Sequence, residues 1–311
     1  MYNFLFCINE SYAKYLEVLV FSIIKNTKRG GGIDEPYVFH IFHSKLSTKC
    51  KENFKILEKK LSLFYPCKFK FYFIDEALFK NLKPYRNSFV TYFRLQSSRL
   101  IKGVDKLLYL DVDMLVLDDL REIFSIDLKD KILAAVFDIH PKDKILRAKD
   151  KNLKDIKIPK DYYFNAGLLL INLKEIARLD FDEILYKYDD YFVDQDVLNA
   201  LCFKKIFVLP LSYNFMIATY KKHFSVNIFK FEGEFELNYT RKEFKDAKKK
   251  PKIIHYTSYK PWENKYKLYY YLGLFLPILR FKQEFNANFM IAKAHRLWLK
   301  ILSTLEKIKK T

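Results

Sequence analysis

Short apolar runs alternate with longer segments of helical periodicity along most of the chain. Residues 2–8 form a continuous apolar run that predicts a buried strand, and the next segment places Tyr15, Leu19 and Ile23 on one helical face. Further strands are predicted at 37–42, 68–74, 106–110, 131–137, 167–172 and 206–209, and further helices at 49–63, 91–101 and 194–201. This alternation is typical of βαβ units around a mostly parallel sheet.

In such a sheet, ligands bind beyond the carboxyl ends of the strands, so polar residues directly after apolar strands are candidates. The strand at 106–110 runs into Asp111 and Asp113. Period-two alternation puts both carboxylates on one side, where they repel each other unless a cation lies between them. Oxygen ligands of this kind favour Mg²⁺ or Mn²⁺. Because Asp-x-Asp also occurs at Asp180 and Asp194, the position after a strand carries the prediction more than the motif does.

Two other segments carry candidate chemistry. The apolar pair before His255 again ends in a polar residue, and Lys260 follows five residues later. Imidazole together with two carboxylates is a reasonable Mn²⁺ ligand set, and a lysine can contact phosphate. Asn165 and Gly167 precede an apolar strand, where glycine lets a ligand approach the backbone closely. Taken alone, a structural histidine and an ordinary turn are the better explanations of these two segments.

In this order and spacing, the segments resemble glycosyltransferase family 8, particularly the lipopolysaccharide galactosyl- and glucosyltransferases. The resemblance covers residues 2–262. It implies a single α/β domain of the nucleotide-diphospho-sugar transferase type, which is Rossmann-like (GT-A) with a mostly parallel central sheet. Any one segment would be unspecific, whereas six in order are specific. The six are Phe6-Cys7-Ile8-Asn9-Glu10-Ser11-Tyr12, Tyr92-Phe93-Arg94-Leu95, Tyr109-Leu110-Asp111-Val112-Asp113, Phe164-Asn165-Ala166-Gly167, Asp194-Gln195-Asp196, and His255 with Lys260-Pro261-Trp262.

The resemblance implies a role for each matching residue. Asp111, Asp113 and His255 are the implied metal ligands, which would hold Mn²⁺, or alternatively Mg²⁺, against the diphosphate of a UDP-sugar. Gln195 and Asp194 are the implied catalytic residues beside the transferred sugar. Besides the metal ligands, the resemblance implies a set of cofactor-binding residues. Cys7, Asn9, Ser11 and Tyr12 would lie at uracil and ribose, and Ser258 and Lys260 at the phosphates. Arg94, Val112, Asn165 and Ala166 complete the implied set.

The resemblance implies transfer of a hexose to a sugar of a lipopolysaccharide or lipooligosaccharide core. It also implies retention of the anomeric configuration, which family 8 enzymes share. Double displacement needs a carboxylate opposite the leaving group, whereas the residue that matches this face is Gln195, a poor nucleophile. We therefore favour a front-face mechanism in which the diphosphate accepts the acceptor's proton and Gln195 stabilises the oxocarbenium-like centre. Asp196 is the alternative nucleophile. Galactose and glucose both stay open as the donor sugar.

The net charge of +19 changes the picture mainly at the C-terminal end. From residue 241 onward, 18 Lys and Arg stand against 5 Asp and Glu. We expect a catalytic domain over 1–262 and a basic, aromatic, amphipathic tail over 263–311 that attaches peripherally to an anionic membrane. A helix packed on the catalytic domain is the alternative. The apolar stripe of this predicted helix contains Met290, Ala294, Leu297, Ile301, Leu305 and Ile308, and the basic stripe contains Lys293, Arg296, Lys300 and Lys307.

The remaining features bear on location and on other function classes. The four cysteines form no C-x-x-C pair, and the N-terminal apolar run lacks the basic start of a signal peptide, so we expect the cytoplasmic face of the inner membrane. A nucleotidyltransferase also uses paired carboxylates and a metal, but the glycine run at 30–32 follows a helix rather than a strand. A nucleic-acid-binding protein would depend on the basic tail. We expect no nucleic-acid partner.

Overall fold

A computed structural model describes residues 1–28, 35–138, 143–189, 193–217, 239–257, 260–263 and 282–310. The strands are β1 (Tyr2–Ile8), β2 (Tyr37–His43), β3 (Cys67–Phe73), β4 (Lys106–Leu110), β5 (Met114–Val116), β6 (Leu133–Phe137), β7 (Lys144–Ala148), β8 (Ile156–Ile158), β9 (Phe164–Asn172), β10 (Tyr188–Asp189), β11 (Ile206–Val208), β12 (Phe215–Met216) and β13 (Ile253–His255). The α-helices are α1 (Ala13–Lys25), α2 (Thr48–Ser62), α3 (Ser97–Leu100), α4 (Leu173–Ile176), α5 (Phe181–Lys187), α6 (Val193–Cys202), α7 (Arg241–Lys249) and α8 (Lys282–Lys310). Short 3-10 helices cover Glu10–Tyr12, Glu76–Phe79, Val90–Gln96, Arg121–Ser125, Lys160–Tyr162 and Leu211–Asn214.

The central sheet has seven strands in the order β11-β6-β9-β4-β1-β2-β3. Strand β1 runs parallel to β2 and β4, β2 runs parallel to β3, and β11 runs parallel to β6. Strand β9 runs antiparallel to both of its neighbours, β4 and β6. The sheet is therefore mostly parallel, as predicted, and the chain has the expected α/β fold class.

The alternation of side chains across β1 divides the core into two layers. Phe4, Phe6 and Ile8 pack on the face that α1, α2 and the C-terminal part of α8 cover. Leu5 and Cys7 point to the opposite face, which packs against residues of the 90–96 helix and of α6. Because both faces are covered, the central strands are apolar on both sides, as buried parallel strands are in general.

A small three-stranded sheet lies next to the end of β4. Strand β5 pairs antiparallel with β13, so that Met114 lies opposite His255, and β13 pairs parallel with β12. The Tyr256 N–H donates to the Asp113 carbonyl oxygen at 2.8 Å. This pairing brings His255 from a position more than 140 residues away in sequence to the turn that carries the two aspartates.

Some elements differ from the sequence prediction. The predicted helix at 91–101 is a 3-10 helix over Val90–Gln96 followed by the short α3, because β-branched and aromatic residues lower α-helix stability there. Strand β9 begins at Phe164, three residues before the prediction. The short strands β7, β8 and β10 were not predicted, because segments of two to five residues are too short to show a clear periodicity. Asp180 caps α5 by accepting from the Glu183 N–H, so this Asp-x-Asp pair marks a helix start rather than a ligand site.

Helix α8 packs its apolar stripe against the domain, and the predicted helix from residue 290 is present. Trp298, Ile301 and Leu305 are buried. The Tyr256 hydroxyl donates to the Ala294 carbonyl oxygen at 2.7 Å. Among the described residues, none of the helices combines the length and the apolar content needed to cross a bilayer. The glycine run at 30–32 lies outside the described residues.

Candidate active site

A cavity of about 740 Å³ opens at the carboxyl ends of β1 and β4. This is the edge at which a parallel sheet of this kind binds ligands. The cavity brings together all predicted site residues that the structure describes. They are Cys7, Asn9, Ser11, Tyr12, Arg94, Asp111, Val112, Asp113, Asn165, Ala166, Asp194, Gln195, His255 and Lys260. Ser258 lies outside the described residues.

Asp111, Asp113 and His255 form a compact cluster at the floor of the cavity. One ligand atom from each residue lies within 4.8 Å of the others. His255 Nε2 lies 3.3 Å from Asp113 Oδ1 and 3.7 Å from Asp111 Oδ2. Asp113 Oδ2 contacts the ammonium of Lys260. Two carboxylates and one imidazole are a donor set suited to Mn²⁺.

Gly167 shapes the space beside this cluster. A Cβ at this position would clash with the His255 ring and would lie 2.9 Å from Asn165 Oδ1 and 3.0 Å from Asp111 Oδ2. The first two approaches are closer than real Cβ atoms come to other atoms, and the third is tight. The absence of a side chain at Gly167 thus keeps the cluster open, and the residues fit a small divalent cation.

Burial and neighbouring charges set the protonation of the cluster. Burial lowers the pKa of His255 to about 4, so its imidazole is neutral near pH 7, as a metal ligand must be. Burial alone would raise the pKa of Asp111, but the Arg94 guanidinium and His255 outweigh it and the pKa is lowered. Burial lowers the pKa of Lys260 to about 8. The carboxylate of Asp111 is therefore ionised over the physiological range.

Arg94 joins Asp111 to Asp194 beneath the cavity. Its guanidinium lies 3.1 Å from Asp111 Oδ1 and 2.8 Å from Asp194 Oδ2, and it also donates to the Ala166 carbonyl oxygen. It lies over the Tyr109 ring at 4.0 Å. Burial raises the pKa of Asp194 to about 6, although Arg94 opposes the shift. Arg94 is only 5% exposed, and its guanidinium is already paired with two carboxylates. Its main effect is therefore to fix the shape of the site.

Gln195 lies on the first turn of α6 and faces four polar groups. Its Oε1 accepts from the Ala166 N–H at 3.0 Å. Its Nε2 donates to the Tyr163 hydroxyl at 3.1 Å and to Asp138 Oδ2 at 3.4 Å. Asn165 Nδ2 lies 3.3 Å from both Gln195 Oε1 and Asp138 Oδ2. The carboxamide is thus held from both ends.

Val193, the first residue of α6, has a φ of 46°. A β-branched residue in the left-handed region is a backbone outlier, and such outliers cluster at functional sites. Val193 lines the cavity and immediately precedes Asp194 and Gln195. The strained backbone at Val193 therefore sets the direction in which Asp194 and Gln195 enter the cavity.

One wall of the cavity follows β1. The Cys7 thiol is buried, and burial raises its pKa, so it is uncharged. Ser11 donates to Asn9 Oδ1 at 2.7 Å. The Tyr12 ring lies edge-on to Trp262, with ring centroids 6.5 Å apart. This wall offers an aromatic face beside small hydrogen-bonding groups.

Three residues that line the cavity, Asp138, Tyr85 and Arg86, were missed from the sequence, as was the buried Asn214, which contacts His255 from outside the cavity lining. Asp138 directly follows β6, so the strand-end rule that selected Asp111 would have found it too. Asn214 had no sequence signal, since it ends a short 3-10 helix far from any motif. Tyr85 and Arg86 belong to a tight turn with positive φ at Arg86 and Asn87, and the pattern of apolar residues does not predict such a turn.

The fold and this site define a glycosyltransferase of the GT-A fold. The structure of galactosyltransferase LgtC, solved with donor and acceptor sugar analogues, superposes with a TM-score of 0.66 at 22% identity, covering 97% of this chain and 95% of that one. Residues 3–266 match the sequence profile of glycosyl transferase family 8. The chain belongs to this family.

Two curated proteins are similar in sequence to this chain. A Haemophilus influenzae protein, provisionally named a glycosyltransferase, is 33% identical over 222 residues, which are 68% of this chain and 63% of that protein. The Escherichia coli lipopolysaccharide 1,2-glucosyltransferase is 30% identical over 276 residues, which are 85% of this chain and 74% of that protein. The chain therefore spans somewhat under two thirds of the Haemophilus protein's length.

Proposed function

We propose that the protein is a retaining hexosyltransferase that moves galactose or glucose from a UDP-sugar to a core sugar of lipopolysaccharide or lipooligosaccharide, and that it depends on Mn²⁺. The observation that carries this proposal is that Asp111, Asp113 and His255 share one cavity with Gln195. These contacts support a site in which the three residues would hold a metal and Gln195 would face the electron-poor sugar carbon.

The cavity residues divide the work of holding the donor. Asp111, Asp113 and His255 would hold the divalent cation, which when bound neutralises charge on the leaving diphosphate. Lys260 would contact the same phosphates. The wall at Asn9, Ser11 and Tyr12 would take the uracil and ribose. The second metal candidate, Mg²⁺, prefers oxygen ligands more strongly, so the imidazole of His255 favours Mn²⁺.

The surroundings of Asp196 support the front-face mechanism over double displacement. Asp196 is fully buried and does not line the cavity. Its Oδ1 accepts from the Tyr163 hydroxyl at 2.5 Å, and its Oδ2 pairs with Lys144 at 3.0 Å. A carboxylate held in this way is a poor nucleophile for a sugar in the cavity. Gln195 would then stabilise positive charge at the anomeric carbon through its Oε1.

The acceptor and the membrane form the outer part of the proposal. The Escherichia coli relative is named for glucosyl transfer to lipopolysaccharide, and LgtC is named as a galactosyltransferase. An acceptor carried by a glycolipid lies at a membrane surface. We therefore propose peripheral attachment at the cytoplasmic face of the inner membrane, through the basic C-terminal region.

The experiment that tests the function is UDP release across a panel of UDP-hexoses with Mn²⁺, first without and then with a truncated lipopolysaccharide acceptor. We expect slow hydrolysis of one donor and faster release when the acceptor is present. The anomeric configuration of the product, measured by NMR, should match that of the donor. No UDP release from any donor, or release of pyrophosphate from nucleoside triphosphates instead, would favour the nucleotidyltransferase alternative.

A further inference from the structure

A continuous hydrogen-bond network runs from the metal cluster through the site to a buried carboxylate. His255 Nδ1 lies 2.9 Å from Asn214 Oδ1, and Asn214 Nδ2 donates to Asn165 Oδ1 at 2.8 Å. Asn165 Nδ2 reaches Gln195 Oε1 at 3.3 Å. From there Gln195 donates to the Tyr163 hydroxyl, and that hydroxyl donates to Asp196. We call this set, His255-Asn214-Asn165-Gln195-Tyr163-Asp196, the polar network.

Two backbone N–H groups fix the direction of the polar network. The Gly167 N–H donates to Asn165 Oδ1 at 3.0 Å, and the Ala166 N–H donates to Gln195 Oε1 at 3.0 Å. A backbone N–H can only donate, so the side-chain atoms that it meets must be oxygens. The orientation of both carboxamides therefore follows from the backbone rather than from a choice between nitrogen and oxygen.

A β-bulge makes these two N–H groups available. The register between β6 and β9 shifts so that Ala135 lies opposite Leu169 while Val136 lies opposite Asn165. Residues 166–168 of β9 are left out of that pairing. Bulges of this kind occur next to active sites, where they redirect backbone and side-chain groups.

The direction of the network settles the tautomer of His255. Because Asn165 Oδ1 is an acceptor, the Asn214 atom that contacts it must be Nδ2, so Asn214 turns its Oδ1 toward His255. His255 Nδ1 must then carry the hydrogen, and Nε2 keeps its lone pair. Nε2 is the atom that faces Asp111 and Asp113. Asn214 is fully buried, so no water competes for this contact.

The same logic applies at the other end. Since Gln195 Oε1 accepts from Ala166, Gln195 Nε2 must face the Tyr163 hydroxyl, and the hydroxyl hydrogen points to Asp196. Tyr163 is 2% exposed, and Asp196 is also paired with Lys144. The tyrosine is thus fixed by the buried carboxylate of Asp196, which the partly exposed Lys144 neutralises, and in turn fixes the carboxamide.

We propose that Asn214 and Tyr163 are positioning residues of this site. Asn214 holds His255 in the tautomer that leaves Nε2 free for a divalent cation, and Tyr163 holds the Gln195 carboxamide with its Oε1 toward Ala166. The part that concerns Gln195 rests on the proposed function, whereas the part that concerns His255 rests on the geometry of the polar network alone.

The first test separates the two hydrogen bonds of Asn214. Asn214→Leu removes both, whereas Asn214→Asp keeps an oxygen toward His255, replaces the donor to Asn165 by a second oxygen and adds a buried negative charge. We expect Mn²⁺ affinity, titrated without any donor sugar, to fall roughly 10- to 100-fold in Asn214→Leu and to stay within about threefold of the wild type in Asn214→Asp. In ¹⁵N-histidine spectra, the wild type and Asn214→Asp should show His255 protonated at Nδ1, and Asn214→Leu should show a mixture.

Unchanged Mn²⁺ affinity and an unchanged His255 spectrum in Asn214→Leu would overturn the role of Asn214. Equal losses in both variants would also overturn it, because they would indicate packing rather than the oxygen contact. Should Asn214→Leu fail to fold, the spectrum of Asn214→Asp still decides, since a His255 protonated at Nε2 there contradicts the proposed tautomer.

The second test uses Tyr163→Phe, which removes one hydroxyl, beside the half-exposed neighbour Tyr162→Phe as the control. We expect kcat for UDP-sugar hydrolysis to fall about tenfold with the donor KM and the Mn²⁺ affinity unchanged. In a Gln195→Ala background, Tyr163→Phe should cause no further loss. The same tenfold loss in both backgrounds, or a rise in KM without a fall in kcat, would overturn the role of Tyr163.

The two tests also distinguish this inference from the proposed function. If the wild type releases no UDP from any donor, the proposed function fails and the Tyr163 role fails with it. The Mn²⁺ titration and the histidine spectra need no donor, so the role of Asn214 is decided in either case.

Discussion

The Cα of Gly167 faces the imidazole of His255 so closely that the Cβ of any other residue would clash with the ring. The same Cβ would crowd Asn165 Oδ1 and Asp111 Oδ2. The backbone of β9 therefore forms one wall of the proposed metal site. Gly167 is needed for the space it leaves and not for an unusual backbone conformation. Among the glycines that the structure describes, only Gly103 has a positive φ.

We accordingly expect Gly167→Ala to displace His255 and to weaken Mn²⁺ binding by at least about tenfold, the scale seen when groups that orient a ligand are lost. Gly103→Ala is the matched control. A Cβ there meets nothing within 4 Å, but the φ of 70° strains it. It should cost about 1 kcal/mol of stability without affecting the metal. Titration of Mn²⁺ by calorimetry and urea unfolding measure the two effects, and unchanged Mn²⁺ affinity in Gly167→Ala would contradict the placement of the site.

Removal of the proposed metal ligands should abolish turnover. Asp111→Asn or Asp113→Asn should lower UDP-sugar hydrolysis at least about 100-fold, because each takes a charged ligand from the diphosphate site. Asp182→Asn, an exposed carboxylate on α5, is the control and should keep full activity. EDTA should stop the wild type and added Mn²⁺ should restore it. His255→Ala should raise the Mn²⁺ concentration needed for half-maximal rate, and full turnover in EDTA would refute the metal assignment.

The buried pair of Arg94 and Asp194 should contribute to stability as well as to shape. Asp194→Asn leaves the guanidinium with Asp111 as its remaining carboxylate, and loss of one partner from a buried pair costs about 3 kcal/mol. Asp130→Asn breaks an exposed contact to Lys131 at 4.0 Å and should cost less than about 1 kcal/mol. Urea unfolding at pH 7 measures both variants. Equal stabilities would mean that Arg94 is satisfied without Asp194.

How far the sequence could predict this site depends on where each residue lies. Asp111 follows an apolar strand and was visible from periodicity, and the resemblance to family 8 supplied Arg94 and Gln195, which have no pattern of their own. Asn214 could not be predicted, because its role depends on the pairing of β12 and β13 and on the bulge in β9. The fold class was predictable from strand and helix alternation. Strands β7 and β8 were not, since five and three residues are too few to produce a clear period-two signal.

Two buried histidines should make stability fall in mild acid. Burial lowers the pKa of His40 and of His43 to about 4. His40 contacts Tyr72 and Asn3, and Lys70 adds to its shift. A lowered pKa means that the folded state keeps these imidazoles neutral. Their contribution is therefore complete above about pH 6.5 and is lost as the pH falls toward 4, when the unfolded chain takes up protons first.

We expect the free energy of unfolding of the metal-free protein to fall by about 1 to 3 kcal/mol per histidine between pH 7 and pH 4.5. His40→Asn should be less stable at pH 7 but should show a shallower decline, because one of the buried imidazoles, which in the metal-free protein also include His255, no longer titrates. Urea unfolding at several pH values measures both slopes. An identical slope in His40→Asn and the wild type would mean that His40 does not titrate in this range.

The packing of α8 changes what the C-terminal region can offer a membrane. Its apolar stripe is not free: Trp298 lies 5.5 Å from the Trp262 ring, and Ile301 and Leu305 are buried. Lys60 donates to the carbonyl oxygens of Ile308 and Lys309 at the end of the helix, and Lys309 pairs with Glu17 at 2.7 Å. Removing the helix would uncover apolar surface on α1. The exposed basic stripe of α8 is therefore the part of the helix that would contact the membrane.

We expect this stripe to bind anionic vesicles by charge alone. Lys293, Arg296, Lys300 and Lys307 are exposed along α8, and each basic residue near an anionic surface adds about 1 kcal/mol. Replacing all four by Gln should abolish binding to vesicles rich in phosphatidylglycerol while leaving the melting temperature and UDP-sugar hydrolysis unchanged. Replacing four exposed lysines of the domain body (Lys49, Lys55, Lys68 and Lys80) is the matched control and should leave vesicle binding intact. Wild-type binding should weaken between 50 and 300 mM salt, about the range over which screening of surface charges takes effect. Because the apolar stripe is already buried, binding that persists at high salt, or that survives the four replacements on α8, would show that another surface carries the attachment.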